Sequence, residues 1–574
     1  MNCLIPIAAW LCTAPLVSAQ TGPVLPGVET LGRLGSLGSG PQVIALVETR
    51  LLAPGEDLPA LLPSIERWQA DLAAEGFQAS AVAVGFEESS GHRDGRVLLG
   101  LRDWLRAEAE KAPLAGVLLV GRFPDALLVR SVNWRKQGKI EIDGEAYADV
   151  PYLRRVPEDV AHRADIVLAD LDGNWEACYH EAPELLPSWI AAYPAGIPER
   201  GGPFARLETG QKPFEDFFLV DDGRLVVAEH SLDLDDSNAN HEVAAGERGT
   251  PNILAQPDIW VGRLDARGTA MVPRPECALF DDTGQPVRRD FESKPPHWRD
   301  GLWQADARLE RQLLIEYFER NHSYRTSGSP AEAWRPASIA CGLRSGYREM
   351  ASAREDWRGA DAKHLDVGEQ ATLAQFVDWI AQPAVLRTVR AHSDPWGSVF
   401  GKSPTKELDA QLAPIWSWSS LENVLAPSLA SPCSGGKLDW FLLHTLWRNH
   451  ATAGAPAFYV HTGCEGISPP GWRNRPFQDA GYGVRQGGEA LLFFGDGLAL
   501  VGRAKVFYDE PRGFAAALGR GGTVGEAWRE YFRLEAQEPG KGVGDIGRKR
   551  AYFWSLLGDP TLRLLPPRER DSGK

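Results

Sequence analysis

Two residues of this sequence, His392 and Cys433, have the types and surroundings that nucleophilic chemistry needs. An apolar run over 384–390 reads as a buried strand and delivers Arg390-Ala391-His392-Ser393. A second strand-like run, Val424 to Ser431, delivers Ser431-Pro432-Cys433-Ser434-Gly435-Gly436 ahead of a helix-forming stretch. In parallel α/β sheets the chemistry sits beyond the carboxyl ends of the strands. A cysteine at a strand-to-helix turn gains thiolate character from the helix N-terminus and from a nearby imidazole. Gly435 and Gly436 would let main-chain donors approach a substrate carbonyl closely. Brought together, His392 and Cys433 would form a nucleophile and a general acid or base. Cys464, within Val460-His461-Thr462-Gly463-Cys464-Glu465-Gly466, is a second strand-end cysteine with a Cys-x-Gly, read as a rival nucleophile. The competing reading of Cys433 is a buried structural thiol or half of a disulfide with Cys464, which would remove the chemistry.

Positioning such a pair requires a parallel sheet, and the pattern supplies one. Val43-Ile44-Ala45-Leu46-Val47, Ala81 to Val84 and Gly116 to Gly121 read as strands. Between them, 58–75 and 96–111 carry apolar residues at helical spacing. Strand–helix–strand–helix–strand predicts a parallel sheet with right-handed crossovers. The expected division is a signal peptide over 1–19, a Gly/Pro-rich linker over 20–40, a first α/β subdomain over 41–129 and an irregular insertion over 130–256. A return strand and long helix follow over 257–330, then a catalytic subdomain over 331–565 and a tail over 566–574. Within these, 301–321, 370–381, 437–449 and 524–535 read as helices, and Pro336–Cys341 and Ala457–Thr462 as strands. Gly495-Asp496-Gly497 reads as the turn of a hairpin over 489–507.

The chain of 574 residues carries 61 Lys and Arg against 77 Asp and Glu, a net charge of −16. That balance disfavours a nucleic-acid or anionic-membrane surface, both of which need clustered positive charge. The first segment has an apolar stretch from Leu4 to Val17 and ends in Val17-Ser18-Ala19, which fits an export signal cleaved after Ala19. No other run reaches the length of a membrane-spanning helix. A secreted or periplasmic location is therefore expected. Cleavage would leave Cys178, Cys277, Cys341, Cys433 and Cys464, an odd count that leaves at least one thiol unpaired in an oxidising compartment.

No cofactor is required by these residues. Asp170-Leu171-Asp172-Gly173-Asn174 and Asp236-Ser237-Asn238-Ala239-Asn240 alternate oxygen side chains, a spacing that suits Ca2+, with Asp236, Asn238 and Asn240 as candidate ligands. Solvated turns are the plainer reading of both. The tryptophans near the candidate pair in sequence, among them Trp472, read either as core packing or as a substrate-binding wall.

Several stretches together resemble the gingipain family of cysteine peptidases, in the clan that also holds caspases and legumain. They are Val117-Leu118-Leu119-Val120-Gly121, Asp258-Ile259-Trp260-Val261-Gly262-Arg263 and Leu557-Gly558-Asp559-Pro560-Thr561-Leu562, in the family's order, with the His before the Cys. The resemblance implies a caspase-like three-layer α/β fold, with a mostly parallel sheet and helices on both faces, in two adjacent subdomains. It also implies hydrolysis of peptide bonds in a peptide or protein substrate, and it puts Cys464 where the family has a substrate-pocket loop, as a wall of that pocket. The family places its His in Gly-His-Gly and its Cys in Ala-Cys-x-Gly, which by position become His392 and Cys433, with main-chain N–H groups at Cys433 and Ser393 as oxyanion donors. Here Ala391 and Ser393 replace the glycines beside the His, and Pro432 precedes Cys433. The stretch Cys341-Gly342-Leu343-Arg344 lacks the family's supporting carboxylate, which leaves Asp394 to orient His392. These departures define the alternative, a catalytically inactive caspase-like protein acting in binding or assembly.

Overall fold

The computed structural model describes residues 25, 28–55, 58–86, 95–124, 126–134, 140–142, 145–147, 156–173, 175, 225–228, 255–273, 303–342, 365–394, 397–401, 436–464, 466–467, 487–504, 510–537 and 551–566. Eleven strands form one sheet. In chain order they are β1 Val28–Leu37, β2 Gln42–Glu48, β3 Gln78–Phe86, β4 Leu114–Val120, β5 Trp260–Leu264 and β6 Pro336–Cys341. They continue with β7 Leu365–Val367, β8 Leu386–Ala391, β9 Ala457–His461, β10 Gly497–Arg503 and β11 Trp554–Gly558. The spatial order is β1-β3-β2-β4-β5-β11-β10-β9-β8-β6-β7.

Strands β3, β2, β4, β5 and β11 run parallel to one another, as do β10, β9, β8, β6 and β7. The two blocks meet at an antiparallel pair, β10 with β11. Their carboxyl ends therefore emerge at opposite edges, which gives the expected two adjacent subdomains within a single continuous sheet. The central strands β2, β6, β8, β9, β10 and β11 are buried along their whole length. That is why Val43–Val47 and Leu498–Val501 read as unbroken apolar runs instead of alternating ones: helices cover both faces of a parallel sheet.

The longer helices among the described residues are α1 Leu62–Ala74, α2 Gly95–Lys111, α3 Ala307–Ser327, α4 Leu373–Ile380, α5 Trp440–Arg448, α6 Gly487–Phe494 and α7 Val524–Gln537. Their ends follow from local chemistry. Asp306 accepts from the N–H groups of Arg308 and Leu309 at the start of α3, and Gly328 ends it with φ 70°. Thr372 and Gln375 form a capping box at α4. The helical layer is tied to the sheet by Asp559, just past β11. Its buried carboxylate accepts from Trp68 of α1 at 2.7 Å, and from Asn321 at 3.0 Å and Arg325 at 2.9 Å, both on α3. The Leu557–Leu562 motif thus has a structural role, as the buried ionic knot between both layers.

Three expectations are corrected. The segment 20–40 is not simply a linker: Val28–Leu37 is a strand paired antiparallel with β3. Its glycines hid it, because β1 is an edge strand with mixed exposure and no strong apolar alternation. Residues 489–507 are not a hairpin. Helix α6 runs to Phe494, Asp496 takes a left-handed φ of 58°, and β10 begins at Gly497. The Asp-Gly turn joins a helix to a strand because Ala490–Phe494 is buried all round, which short apolar runs do not distinguish from a strand. The long helix begins at Ala307, with a short strand at Trp303–Ala305 before it. Parts of 130–256 are described: Ala126–Trp134 pairs with Val156–Arg163 and Leu225–Ala228 in a small separate sheet. The expected strand Val424 to Ser431 and the segment 1–19 lie outside the described residues.

Candidate functional site

The carboxyl edge of the second block gathers the candidate chemistry. Strands β8 and β9 are adjacent and parallel, with Val389 opposite His461. Beyond β8 come His392 and a small hairpin, in which Ser393–Asp394 pairs with Gly397–Phe400, which pairs in turn with Gly436–Asp439. The Val399 N–H donates to the His392 carbonyl at 2.7 Å. Beyond β9, the Thr462 N–H donates to the Val389 carbonyl at 3.0 Å, and Gly463 and Cys464 follow. Cys464 is a half-buried thiol.

The two strand ends touch. A Cβ placed on Gly463 would overlap Ser393 Oγ and lie 2.7 Å from the Ala391 carbonyl oxygen. The residue before Cys464 is therefore packed against the residues on both sides of His392. Ser393 faces Ser398 across the hairpin at a position where Val399 donates to His392. In an antiparallel ladder this is the non-hydrogen-bonded pair, whose own N–H groups point away from the partner strand. The Ser393 N–H is thus turned out of the hairpin.

A buried polar chain runs beneath this contact. His461, 3% exposed, has Nε2 3.0 Å from Ser398 Oγ and Nδ1 3.3 Å from the Gly463 nitrogen, which donates to it. Ser398 Oγ lies 2.8 Å from Ser393 Oγ, and Ser393 donates to the Ala391 carbonyl at 2.9 Å. Burial, with the Arg503 guanidinium adding to it, pushes the His461 imidazole down to about 4, so the ring is neutral at pH 7. Arg503 donates to the Thr462 carbonyl, and Arg390, at the end of β8, pairs with Glu510.

Of the residues expected from the sequence, the structure sets Ser393, which follows His392, against Gly463, which precedes Cys464. Asp394 takes its place in the hairpin backbone, opposite Gly397. Cys433, Gly435 and Trp472 lie outside the described residues. Cys464 is in the thiol form, which removes the expected alternative of a disulfide between it and Cys433, while Cys341, at the end of β6, is disulfide-bonded. Sequence reasoning missed His461 and Ser398. The signal for His461 was present: a histidine closes the apolar run Ala457–Val460, where burial demands a hydrogen-bonded partner. The partner itself, in a hairpin far away in sequence, carries no local signature.

The first alternating acidic tract is also described. Carboxylate oxygens of Asp170, Asp172 and Asp258 lie within 4.8 Å of one another. Asp170 accepts from the Gly173 N–H at 3.0 Å and from Trp175 Nε1 at 2.9 Å, and Asp258 accepts from the Leu171 N–H at 2.8 Å. Burial, and then the neighbouring Asp172, push the Asp170 carboxyl up. These bonds are those of a turn tied to its own backbone. The second tract, with Asp236, Asn238 and Asn240, lies outside the described residues.

No protein-family model and no curated protein matches the sequence. Among solved structures, the chain is similar to the Arg specific cysteine proteinase gingipain R, at 10% identity and a TM-score of 0.41 over 92% of this chain and 78% of that one. It is similar to a complex of the pro- and mature domains of RgpB from Porphyromonas gingivalis, at 11% identity and a TM-score of 0.42 over 91% and 80%. A structure described only as a protease aligns at 8% identity and a TM-score of 0.40 over 91% and 78%. At such distances these likenesses lend the site no argument, and its reading rests on the geometry of this chain.

Proposed function

We propose that this chain is an exported cysteine-type peptidase with His392 and Cys464 as its catalytic pair. The observation that carries the reading is the contact of Gly463 with Ser393 and Ala391 at the ends of adjacent parallel strands. The contact lies one residue before a half-buried thiol and on either side of a half-buried histidine, at the carboxyl edge of a parallel block, where α/β folds keep their chemistry. Both Cys464-Glu465-Gly466 and Cys433-Ser434-Gly435 fit the Cys-x-Gly pattern of the family that the sequence resembles, but a glycine precedes Cys464 and a proline precedes Cys433.

In this reading His392 takes the Cys464 proton and the thiolate sulfur attacks the carbonyl carbon of the scissile peptide. The carbonyl oxygen, now negative, is met by the Ser393 and Cys464 N–H groups. His392 then gives its proton to the departing amine, and water hydrolyses the resulting thioester. The missing acid after β6 is not needed for a thiolate, which is a strong nucleophile without a third residue. Residues 1–19 supply the export signal, and the described helices include none long and apolar enough to cross a membrane.

The test is peptide-library turnover by the wild type, Cys464→Ala and Cys433→Ala. Cys464→Ala is expected to lose about a thousandfold or more in kcat/KM, as removal of a nucleophile does, and Cys433→Ala to retain activity. Loss confined to Cys433→Ala would return the role to Cys433. Absence of turnover in the wild type would favour the binding or assembly alternative.

A further inference from the structure

We propose that His461 is a positioning residue: a neutral imidazole strut that locks the Cys464 turn to the hairpin that follows His392. This rests on the reading of His392 and Cys464 as the catalytic pair, and it adds a residue that the pair's own chemistry does not call for.

The proton positions follow from the partners. A backbone N–H only donates, so His461 Nδ1, facing Gly463 N–H, must carry a lone pair. The ring proton of the neutral tautomer then sits on Nε2 and donates to Ser398 Oγ. Ser398, having accepted, gives its own proton to Ser393 Oγ, and Ser393 gives its proton to the Ala391 carbonyl. Every donor in the chain has one acceptor, and the direction cannot be reversed without setting two N–H groups against each other. The chain begins one residue before Cys464 and ends on the two neighbours of His392.

The ring has little freedom to do anything else. A Cβ on Gly466 would overlap it, and a Cβ on Gly463 would lie 2.7 Å from its Cε1. The charged group that acts on it is Arg503 of β10, while Gly463 offers it a main-chain N–H and Ser398 a hydroxyl. A protonated ring would point a second N–H at Gly463 and place a cation beside Arg503. His461 therefore holds geometry and transfers no proton. The same chain explains Ser393, which stands where the resembled family has glycine: its hydroxyl is a link in the strut.

The experiment combines imidazole nitrogen NMR with kinetics on the full chain. In the wild type the His461 ring is expected to show one neutral Nε2–H tautomer at pH 6. Ser398→Ala is expected to lower kcat about tenfold or more, the scale of a small misplacement of reacting groups, with KM within about twofold and little change in Tm. His461→Gln, whose amide reaches the Nε2 position, should retain more kcat than His461→Leu. Adding Ser398→Ala to His461→Leu should cost nothing further, because one chain is already cut. An Nδ1–H tautomer or a protonated ring at pH 6 would overturn the strut, as would wild-type kcat in Ser398→Ala and His461→Leu. A wild type with the Nε2–H tautomer but without turnover overturns the catalytic pair and with it the positioning role, which separates the two failures.

Discussion

Gly463 and Ser393 share one space: the Ser393 hydroxyl occupies the volume that a Cβ on Gly463 would need. Serine follows His392 and glycine precedes Cys464. The contact has room for a side chain on one of these two residues, so removing the Ser393 side chain would compensate for adding one at Gly463.

This compensation predicts a double-mutant result. Gly463→Ala alone forces the two strand ends apart and should lower kcat about a hundredfold. Combining it with Ser393→Gly should recover much of that loss, giving a coupling of more than about 1 kcal/mol. Steady-state kinetics of the three variants decides; simple additivity of the two losses would show that the contact is not the cause.

Thiol mapping should separate the cysteines. Iodoacetamide at neutral pH, without reductant, is expected to label Cys464 and leave Cys341 in a disulfide. Peptide mapping that recovers Cys464 in a disulfide would remove it as nucleophile. Recovery of Cys433 as the partner of Cys341 would end the candidacy of Cys433.

Asp559 should be among the costliest residues to replace. Its carboxylate is fully buried and accepts from Trp68, Asn321, Arg325 and Thr561. Burial by itself would raise it, but the Arg325 guanidinium and the hydrogen bonds from Thr561 and Trp68 hold it below the usual carboxylate range. Asp559→Ala removes one of the two carboxylates that pair with the buried Arg325, the other being Glu75, and should cost about 3–5 kcal/mol in chemical denaturation. A loss under about 1 kcal/mol would show that the knot carries little.

His444 predicts a pH effect with a definite sign. Burial, aided by Arg448, pushes its imidazole down to about 3, and it packs against Trp447 and Phe494. The unfolded chain, with an ordinary histidine near 6.5, therefore binds a proton that the folded chain does not. Its contribution is fully present above about pH 6.5 and falls as pH drops toward the folded value, by up to about 1.4 kcal/mol per pH unit. His444→Phe should flatten the stability curve in that window. Curves for variant and wild type that stay parallel from pH 7 to 4 would refute it.

Much of the fold was legible because local patterns report burial. Pro336–Cys341 was read as a strand with the observed bounds, and helices over 96–111 and 524–535 lie within a few residues of α2 and α7. Apolar spacing, capping residues and strand-end glycines act over a few residues, so they appear in the sequence directly. Edge strand β1 and the turn at Asp496 were misread because their environment, not their pattern, sets them.

The sequence by itself determined a mostly parallel α/β chain with His392 and Cys464 just past strand ends. Only the tertiary structure decided what stands beside His392. Strand order places β9 next to β8, and so Gly463, the residue before Cys464, next to Ala391 and Ser393. It also sets His461 beneath Ser398, from a hairpin distant in sequence. The physical reason is that hydrophobic periodicity says which face of a strand is buried but not which strand is its neighbour. Catalytic geometry and hydrogen-bond direction belong to neighbours.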